Sequence, residues 1–178
     1  MKIGLLFGSF NPIHIGHIAI AKYMSEFTDL QQVWFVVSPH NPLKDKNSLS
    51  DAKKRFASVK KAVGKYPDIK VSNIEFGLPV PSYTIHTLEK LTKKYSRHNF
   101  VLIIGSDNLG TFYKWKEYKK ILANHTLYVY PRSGFNGGKL KNHRNVKMMK
   151  APRIDISSTF IRAQLKKGKS VRHLIPAN

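Results

Sequence analysis

The decapeptide GSFNPIHIGH, residues 8–17, concentrates residue types that can bind an anion. It lies between an apolar run and a stretch with helical periodicity, so it predicts a turn from a buried strand into a helix. Gly8 and Gly16 let the backbone approach a ligand, and free N–H groups at a helix N-terminus favour an anion. His14 and His17 are three residues apart and can face the same side of the first helical turn. Two imidazoles there could donate hydrogen bonds to charge that develops on phosphorus.

Two other interpretations of the decapeptide stay open at this point. It could be a plain strand–helix turn with two solvent-exposed histidines. The two imidazoles could also bind a metal, but no third ligand is apparent nearby in the sequence, so we expect no metal site on the protein. The combination of all its glycine, proline and histidine positions favours a phosphate site over either alternative.

A second informative segment is ISSTFIR, residues 156–162. Ser157 and Ser158 stand where a helix is predicted to begin, and they offer hydroxyl and backbone N–H groups. Arg162 follows about one turn later and could return to the same anion, since its planar guanidinium pairs well with phosphate. The alternative is a serine cap followed by a surface arginine.

The elements that must position these residues follow an alternating pattern, in which short apolar runs are separated by stretches of helical periodicity. The predicted strands are residues 2–7, 33–37, 69–76, 100–104, 126–130 and 146–150. The predicted helices are residues 15–27, 51–63 with Ser50 as cap, 84–95, a segment containing Trp115 and Ile121–Leu122, and 157–167. This series predicts an α/β fold, with a doubly wound parallel sheet in a single domain over residues 1–178.

Ligands of such folds bind at the carboxyl ends of the strands, near the point where the strand order reverses. That rule selects the residues that directly follow strands. They are residues 8–17, 39–44, 105–108 and 131–134.

Charge and composition restrict the classes of partner. The chain of 178 residues carries 31 Lys and Arg against 10 Asp and Glu, a formal charge of +21. This balance favours anionic partners such as nucleotides, nucleic acid or a membrane surface, although a solvated basic face would look the same. Cysteine is absent, which excludes disulfides and cysteine-ligated zinc. The apolar stretch 3–7 is too short for a signal sequence or a membrane span, so we expect a soluble, cytoplasmic protein without a membrane partner.

Together, GSFNPIHIGH and ISSTFIR resemble the signature pair of the nucleotidyltransferases that carry an H-x-G-H motif. Within that superfamily the chain is most similar to the bacterial nicotinate-mononucleotide adenylyltransferases, because PSYTIHTL, GSDNLGTFYKW and YPR match them in order. The match covers nearly the whole chain. The resemblance implies a Rossmann-like sheet and the transfer of AMP from ATP to nicotinate mononucleotide in NAD biosynthesis. Pyrophosphate would leave, and Mg²⁺ would accompany ATP.

The same resemblance assigns roles to individual residues. The catalytic group would be His14, His17, Arg162 and Lys44. ATP would be held by Gly8, Ser9, Phe10, Gly16, Gly105, Asp107, Ser157 and Ser158, with the two serines and Arg162 on its β- and γ-phosphates. The acceptor would be bound by Asn11, Tyr83, Thr84, Trp115 and Arg132.

The sequence departs from the family pattern at three places. The family usually has a tighter Pro-Pro-His-Lys arrangement, whereas here His40 and Lys44 are further apart, which weakens the assignment of Lys44. His86 stands where an acidic residue is common. The chain ends at VRHLIPAN, where members usually continue into a terminal helix, so we expect either a truncated or a short chain.

Two other functions compete with this interpretation. Phosphopantetheine adenylyltransferases share both end motifs but usually have Thr-x-Gly-His, and they lack the Ser-Tyr-Thr segment. A non-catalytic nucleic-acid-binding protein would fit the charge, but here the lysines are spread over most of the predicted helices, so no nucleic-acid partner is expected. The sequence leaves open the oligomeric state and the choice between nicotinate and nicotinamide mononucleotide.

Overall fold

Six strands form one sheet in which every neighbouring pair is parallel. The computed structural model describes residues 1–40 and 49–176. The strands are β1 (Lys2–Gly8), β2 (Gln32–Val37), β3 (Ile69–Ser72), β4 (Asn99–Gly105), β5 (Leu127–Tyr130) and β6 (Val146–Met148). Their spatial order is β3-β2-β1-β4-β5-β6. The order therefore reverses between β1 and β4, and the fold rule places a ligand site at the carboxyl ends of these two strands.

Helices connect the strands and cover the sheet. They are α1 (Ile15–Glu26), α2 (Ala52–Val63), α3 (Thr84–Lys94), α4 (Ser106–Gly110), α5 (Tyr118–Asn124) and α6 (Ser158–Lys166). Short 3₁₀ turns occur at Ile74–Gly77, Phe112–Lys114, Gly138–Asn142 and Arg172–Leu174. The chain thus forms the single α/β domain with a Rossmann-like sheet that the sequence predicts.

The core consists of two apolar clusters, one on each face of the sheet. Successive strand residues point to opposite faces, so Leu5 and Leu6 of β1 belong to different clusters. On one face α1 and α2 contribute Met24 and Val59, and on the other α3 contributes Leu88. Burial on both faces explains why the central strands read as continuous apolar runs in the sequence.

Four element boundaries differ from the sequence expectations for local reasons. Asp51 rather than Ser50 caps α2, since its side chain accepts a hydrogen bond from the Lys54 backbone N–H. The third strand ends at Ser72, because its hydroxyl accepts from the Ile74 N–H and the chain then turns into a 3₁₀ helix. Trp115 lies outside any helix, in extended backbone. The sixth strand is also shorter than predicted.

Candidate active site

Two adjoining cavities open at the carboxyl ends of β1 and β4. The cavity that contains His14 and His17, here called the histidine cavity, encloses about 270 Å³. The cavity that contains Trp115, here called the tryptophan cavity, encloses about 340 Å³. The lining residues that they share are Leu6, Phe7, Gly8, Asp107, Asn108 and Tyr130. Two ligands bound side by side would therefore meet over the end of β1.

The turn after β1 holds a strained backbone conformation. Phe10 has a φ of +47°, in the left-handed region that non-glycine residues rarely adopt. Its ring is buried and packs 5.1 Å from the Phe35 ring and 5.0 Å from the His17 ring, measured between centroids. A Cβ on Gly8 would lie 2.8 Å from the Phe10 ring, so this position needs glycine. The packing of one aromatic ring thus fixes the shape of the turn that borders the histidine cavity.

The two histidines stack on each other, and a backbone contact orients one of them. Their ring centroids are 3.6 Å apart, and the His14 backbone N–H donates to His17 Nδ1 over 3.2 Å. Because Nδ1 accepts that bond, the proton of a neutral His17 ring lies on Nε2. His17 is thereby set up as a hydrogen-bond donor through Nε2.

His14 has an unusual ionisation state for a histidine. Burial, together with the positive charge of Arg132, lowers its pKa from 6.5 to about 4. The side chain is only 4% exposed, which agrees with burial as the larger cause. His14 is therefore neutral at physiological pH and can act there as a hydrogen-bonding group but not as a cation.

The first turn of α6 is hydrogen-bonded to the turn after β1, which joins the two sequence motifs. Ser158 Oγ donates to the Pro12 carbonyl over 2.9 Å, and Arg162 Nη1 donates to the Asn11 carbonyl over 2.7 Å. Ser157 caps the helix by accepting from the Phe160 N–H. Both serine hydroxyls are thus engaged within the protein. The guanidinium of Arg162 borders the histidine cavity and can reach an anion there.

Arg132 and Asp107 place opposite charges in the histidine cavity. Arg132 Nη1 donates to the Ile154 carbonyl over 2.9 Å. Asp107 borders both cavities, and a Cβ on Gly105 would overlap its Oδ1. Gly105 therefore leaves the room that the Asp107 carboxylate occupies.

The tryptophan cavity combines aromatic faces with a helix N-terminus. Tyr83 is the N-cap residue of α3, and its side chain makes no capping hydrogen bond to the first N–H groups of the helix. Thr84 lies beside it, and Trp115 packs on Phe112 with ring centroids 4.8 Å apart. Such a cavity fits a flat ring that carries a negative group.

Polar residues that the sequence interpretation missed also line the tryptophan cavity. Glu75 is 2% exposed, and its carboxylate accepts from the Ser82 and Thr87 hydroxyls over 2.7 and 2.8 Å. Lys116 Nζ lies 4.8 Å from the centroid of the Tyr83 ring and 3.2 Å from a His86 ring nitrogen. Lys114 also lines this cavity. No motif marks these residues, because their roles depend on contacts between separate segments.

Unpartnered polar atoms mark the two cavities independently of any motif. Among the described residues, five buried side-chain nitrogen or oxygen atoms have no hydrogen-bond partner. Four of them belong to residues that line the cavities: Ser9 Oγ, His14 Nδ1, Asp107 Oδ1 and Trp115 Nε1. Buried polar groups are normally paired, so this concentration indicates a surface built for a polar ligand.

The structure places most of the predicted site residues around the two cavities, with four exceptions. Gly105, at the end of β4, lines neither cavity. Arg132, expected beside the acceptor, lines the histidine cavity and not the tryptophan cavity. Asn11 lines neither cavity, and its backbone carbonyl is the acceptor for Arg162. Lys44 lies outside the described residues.

The part of the chain that the structure describes contains neither a cluster of potential metal ligands nor a helix that could span a membrane. No group of three or more histidine, aspartate or glutamate residues in residues 1–40 and 49–176 could hold a metal ion. None of the helices in those ranges has the length and apolarity needed to cross a bilayer.

Comparison with known proteins gives one consistent picture. The family model for cytidylyltransferase-like proteins matches residues 5–164. A probable nicotinate-nucleotide adenylyltransferase of Flavobacterium johnsoniae is 52% identical over 178 residues, covering 99% of this chain and 92% of the relative. A protein of Cytophaga hutchinsonii with the same name is 50% identical and covers 98% and 91%.

Solved structures show the same fold at lower sequence identity. The nicotinic acid mononucleotide adenylyltransferase of Plasmodium falciparum, solved in complex with NaAD, superposes with a TM-score of 0.81 at 19% identity. The superposition covers 97% of this chain and 87% of that one.

Proposed function

The chain belongs to the cytidylyltransferase-like family, and from that membership we propose that it transfers AMP from ATP to nicotinate mononucleotide. The products are nicotinate adenine dinucleotide and pyrophosphate, a step of NAD biosynthesis. The observation that carries the proposal is the pair of adjoining cavities, one suited to a triphosphate and the other to a flat anionic ring. Relatives about half identical to this chain over nearly its whole length bear the corresponding name.

The reaction is a direct in-line displacement. An oxygen of the acceptor 5′-phosphate forms a bond to the α-phosphorus of ATP. The bond from that phosphorus to the oxygen bridging the β-phosphate breaks, and its electron pair leaves with pyrophosphate. No protein nucleophile takes part, so the protein acts by positioning the substrates and by stabilising charge.

The stacked histidines act on the α-phosphate. His17 donates from Nε2, the nitrogen that the contact with the His14 backbone leaves protonated. His14 stays neutral and supplies a second polar group whose Nδ1 has no partner within the described residues. Donors that are fixed in advance contribute more in the transition state than in the ground state, because charge grows on the phosphoryl oxygens.

Cations that line the histidine cavity neutralise the leaving pyrophosphate. Arg162 lies one helical turn from the N-terminus of α6, and Arg132 also lines the cavity. The first N–H groups of α6 complete this anion site. We assign Lys44 the same role on the basis of its sequence position.

The tryptophan cavity receives the pyridine ring of the acceptor. Trp115 and Tyr83 supply aromatic faces, and the N-terminus of α3 beside Thr84 meets the ring carboxylate. Lys116 adds a positive charge on the same wall. A carboxylate on the ring is stabilised by both the helix N-terminus and the lysine charge. A neutral amide is stabilised less by each of them.

ATP reacts as its complex with a divalent cation, which we infer to be Mg²⁺. Most of the ligands of such an ion are phosphate oxygens and water. Of the described residues that line the histidine cavity, Asp107 is the carboxylate, and its unpartnered Oδ1 fits the ion or a water of its shell. When bound, the ion offsets negative charge on the phosphates.

Two further assignments complete the proposal. Residues 1–178 act as one nucleotidyltransferase domain. The protein works in the cytoplasm, where ATP and pyridine mononucleotides are available.

An assay of pyrophosphate release tests the proposal. The protein is incubated with ATP and one of three acceptors: nicotinate mononucleotide, nicotinamide mononucleotide or phosphopantetheine. We expect the highest kcat/KM with the nicotinate compound, with one dinucleotide formed per pyrophosphate. A preference for phosphopantetheine would overturn the choice of acceptor. Retardation of RNA at physiological ionic strength without any pyrophosphate release would favour a nucleic-acid-binding protein.

A further inference from the structure

Arg55 in α2 is a buried cation whose guanidinium, among the described residues, is hydrogen-bonded only to backbone carbonyls. Its side chain is 3% exposed, and among the described residues no carboxylate lies within ion-pair distance of it. Burying a charge is costly unless hydrogen bonds compensate it. Hydrogen bonds to backbone carbonyls must therefore compensate the cost of burying the guanidinium.

Four carbonyl oxygens from three separate segments surround the guanidinium. Nη1 donates to the carbonyls of Ser9 at 2.5 Å and Ser38 at 2.8 Å. Nη2 donates to the Pro39 carbonyl over 2.9 Å, and Nε donates to the Ser50 carbonyl over 2.9 Å. One side chain thus ties the turn after β1 to the end of β2 and to the start of α2.

The two carbonyls that share Nη1 belong to different cavities. Ser9 lines the histidine cavity, and Ser38 lines the tryptophan cavity. The last sheet-like hydrogen bond between these segments runs from the Ser38 N–H to the Gly8 carbonyl. Arg55 continues the connection beyond that point, where the sheet no longer fixes the separation of the two segments.

The Ser9 contact also sets the strained turn. In a trans peptide the C=O and the following N–H point in opposite directions, so the Ser9 carbonyl that faces Arg55 directs the Phe10 N–H the other way. Phe10 is the residue with positive φ in this turn. Arg55 therefore stabilises a left-handed backbone conformation at Phe10, which a phenylalanine does not favour.

We propose that Arg55 is a positioning residue that fixes the two cavities relative to each other and thereby aligns the acceptor phosphate with the α-phosphorus of ATP. This inference rests on the proposed function, since it assumes that the two substrates lie in the two cavities. The guanidinium touches neither substrate. Its effect falls on the rate of the chemical step, because alignment of reactants changes the rate more than it changes the binding of each reactant alone.

Variants that keep or remove the charge test this role. Arg55→Lys keeps the charge but cannot reach four carbonyls, and Arg55→Met removes both charge and bonds. Val59→Ala is the matched control, because Val59 lies one turn further along α2, is fully buried and makes no contact through the guanidinium. Each protein is measured for its melting temperature, for separate dissociation constants of ATP and nicotinate mononucleotide, and for the single-turnover rate.

The expected result separates positioning from stability. Arg55→Lys should lower the single-turnover rate by about 10- to 100-fold while each dissociation constant changes by no more than roughly threefold. Val59→Ala should lower the melting temperature and leave the rate per folded molecule unchanged. A rate for Arg55→Lys within about twofold of wild type, or an equal slowing by Val59→Ala, would overturn the inference.

Two observations on the unaltered protein complete the design. If wild-type protein releases no pyrophosphate with nicotinate mononucleotide, it is the proposed function that fails. If the variants do not fold, nuclear magnetic resonance of arginine-labelled wild-type protein decides: slow rotation about the Nε–Cζ bond of Arg55 is expected. Fast rotation there would overturn the inference whatever the variants do.

Discussion

His14→Gln replaces a buried imidazole by an amide that does not titrate. The pKa of His14 is about 4 in the folded protein, against an ordinary value of 6.5, because burial and Arg132 disfavour its charged form. At a pH between about 4 and 6.5, the unfolded wild-type chain binds a proton at His14 that the folded chain does not bind. Wild-type stability therefore falls as the pH decreases from about 7 to about 4, and this contribution reaches on the order of 3 kcal/mol.

Urea unfolding of both proteins between pH 4 and pH 7.5 measures this contribution. Groups that titrate in both proteins cancel when the two free energies of unfolding are subtracted at each pH. At pH 7 the variant should be the less stable protein, because it loses the stacking on His17. As the pH falls, the difference should shift in favour of the variant by about 3 kcal/mol.

A constant difference across the whole pH range would refute the reasoning, because it would mean that His14 ionises alike in the folded and unfolded states. The proposed catalytic role of His14 gives a second, independent check. A neutral His14 predicts that protonation of this residue does not limit wild-type activity until the pH approaches about 4.

Three other substitutions test separate parts of the site. His17→Ala should lower kcat by about 10²- to 10³-fold through loss of a transition-state donor, and a near-normal kcat in a folded variant would contradict that role. Gly105→Ala should raise the KM for ATP, since its Cβ would displace Asp107, whereas Gly110→Ala is the matched control because an added Cβ meets nothing within 4 Å. Trp115→Ala should raise the KM for nicotinate mononucleotide by about tenfold or more through loss of ring stacking and leave the KM for ATP unchanged, and equal effects on both substrates would count against this division of the cavities.

Much of the fold could be predicted because its signals are local. The central strands are buried on both faces and therefore form continuous apolar runs, as in residues 100–104 of β4. The segment around Trp115 was harder to predict, because its apolar spacing suits a helix. Glu117 adopts a left-handed conformation with φ +52°, so α5 begins only at Tyr118. Glutamate is not a residue type that indicates a left-handed turn, so the sequence around Glu117 does not predict it.

The candidate site was predictable to the extent that it lies in contiguous motifs. His14, His17 and Arg162 belong to two short segments, and the structure joins these segments through backbone contacts. The positions of Arg132 and Arg55 depend instead on how separate strands and loops pack together. Arg55 in particular reads in the sequence as one of several basic residues on α2, and only its burial reveals four bonds to backbone.

The most direct test of the central claim is the fate of the α-phosphate of ATP. ATP labelled with ³²P at the α position is incubated with the protein, Mg²⁺ and nicotinate mononucleotide, and the products are separated. The proposed function predicts that the label appears in nicotinate adenine dinucleotide, with one pyrophosphate released for each labelled molecule. Label that remains in ATP, or that appears in AMP without dinucleotide, would contradict it.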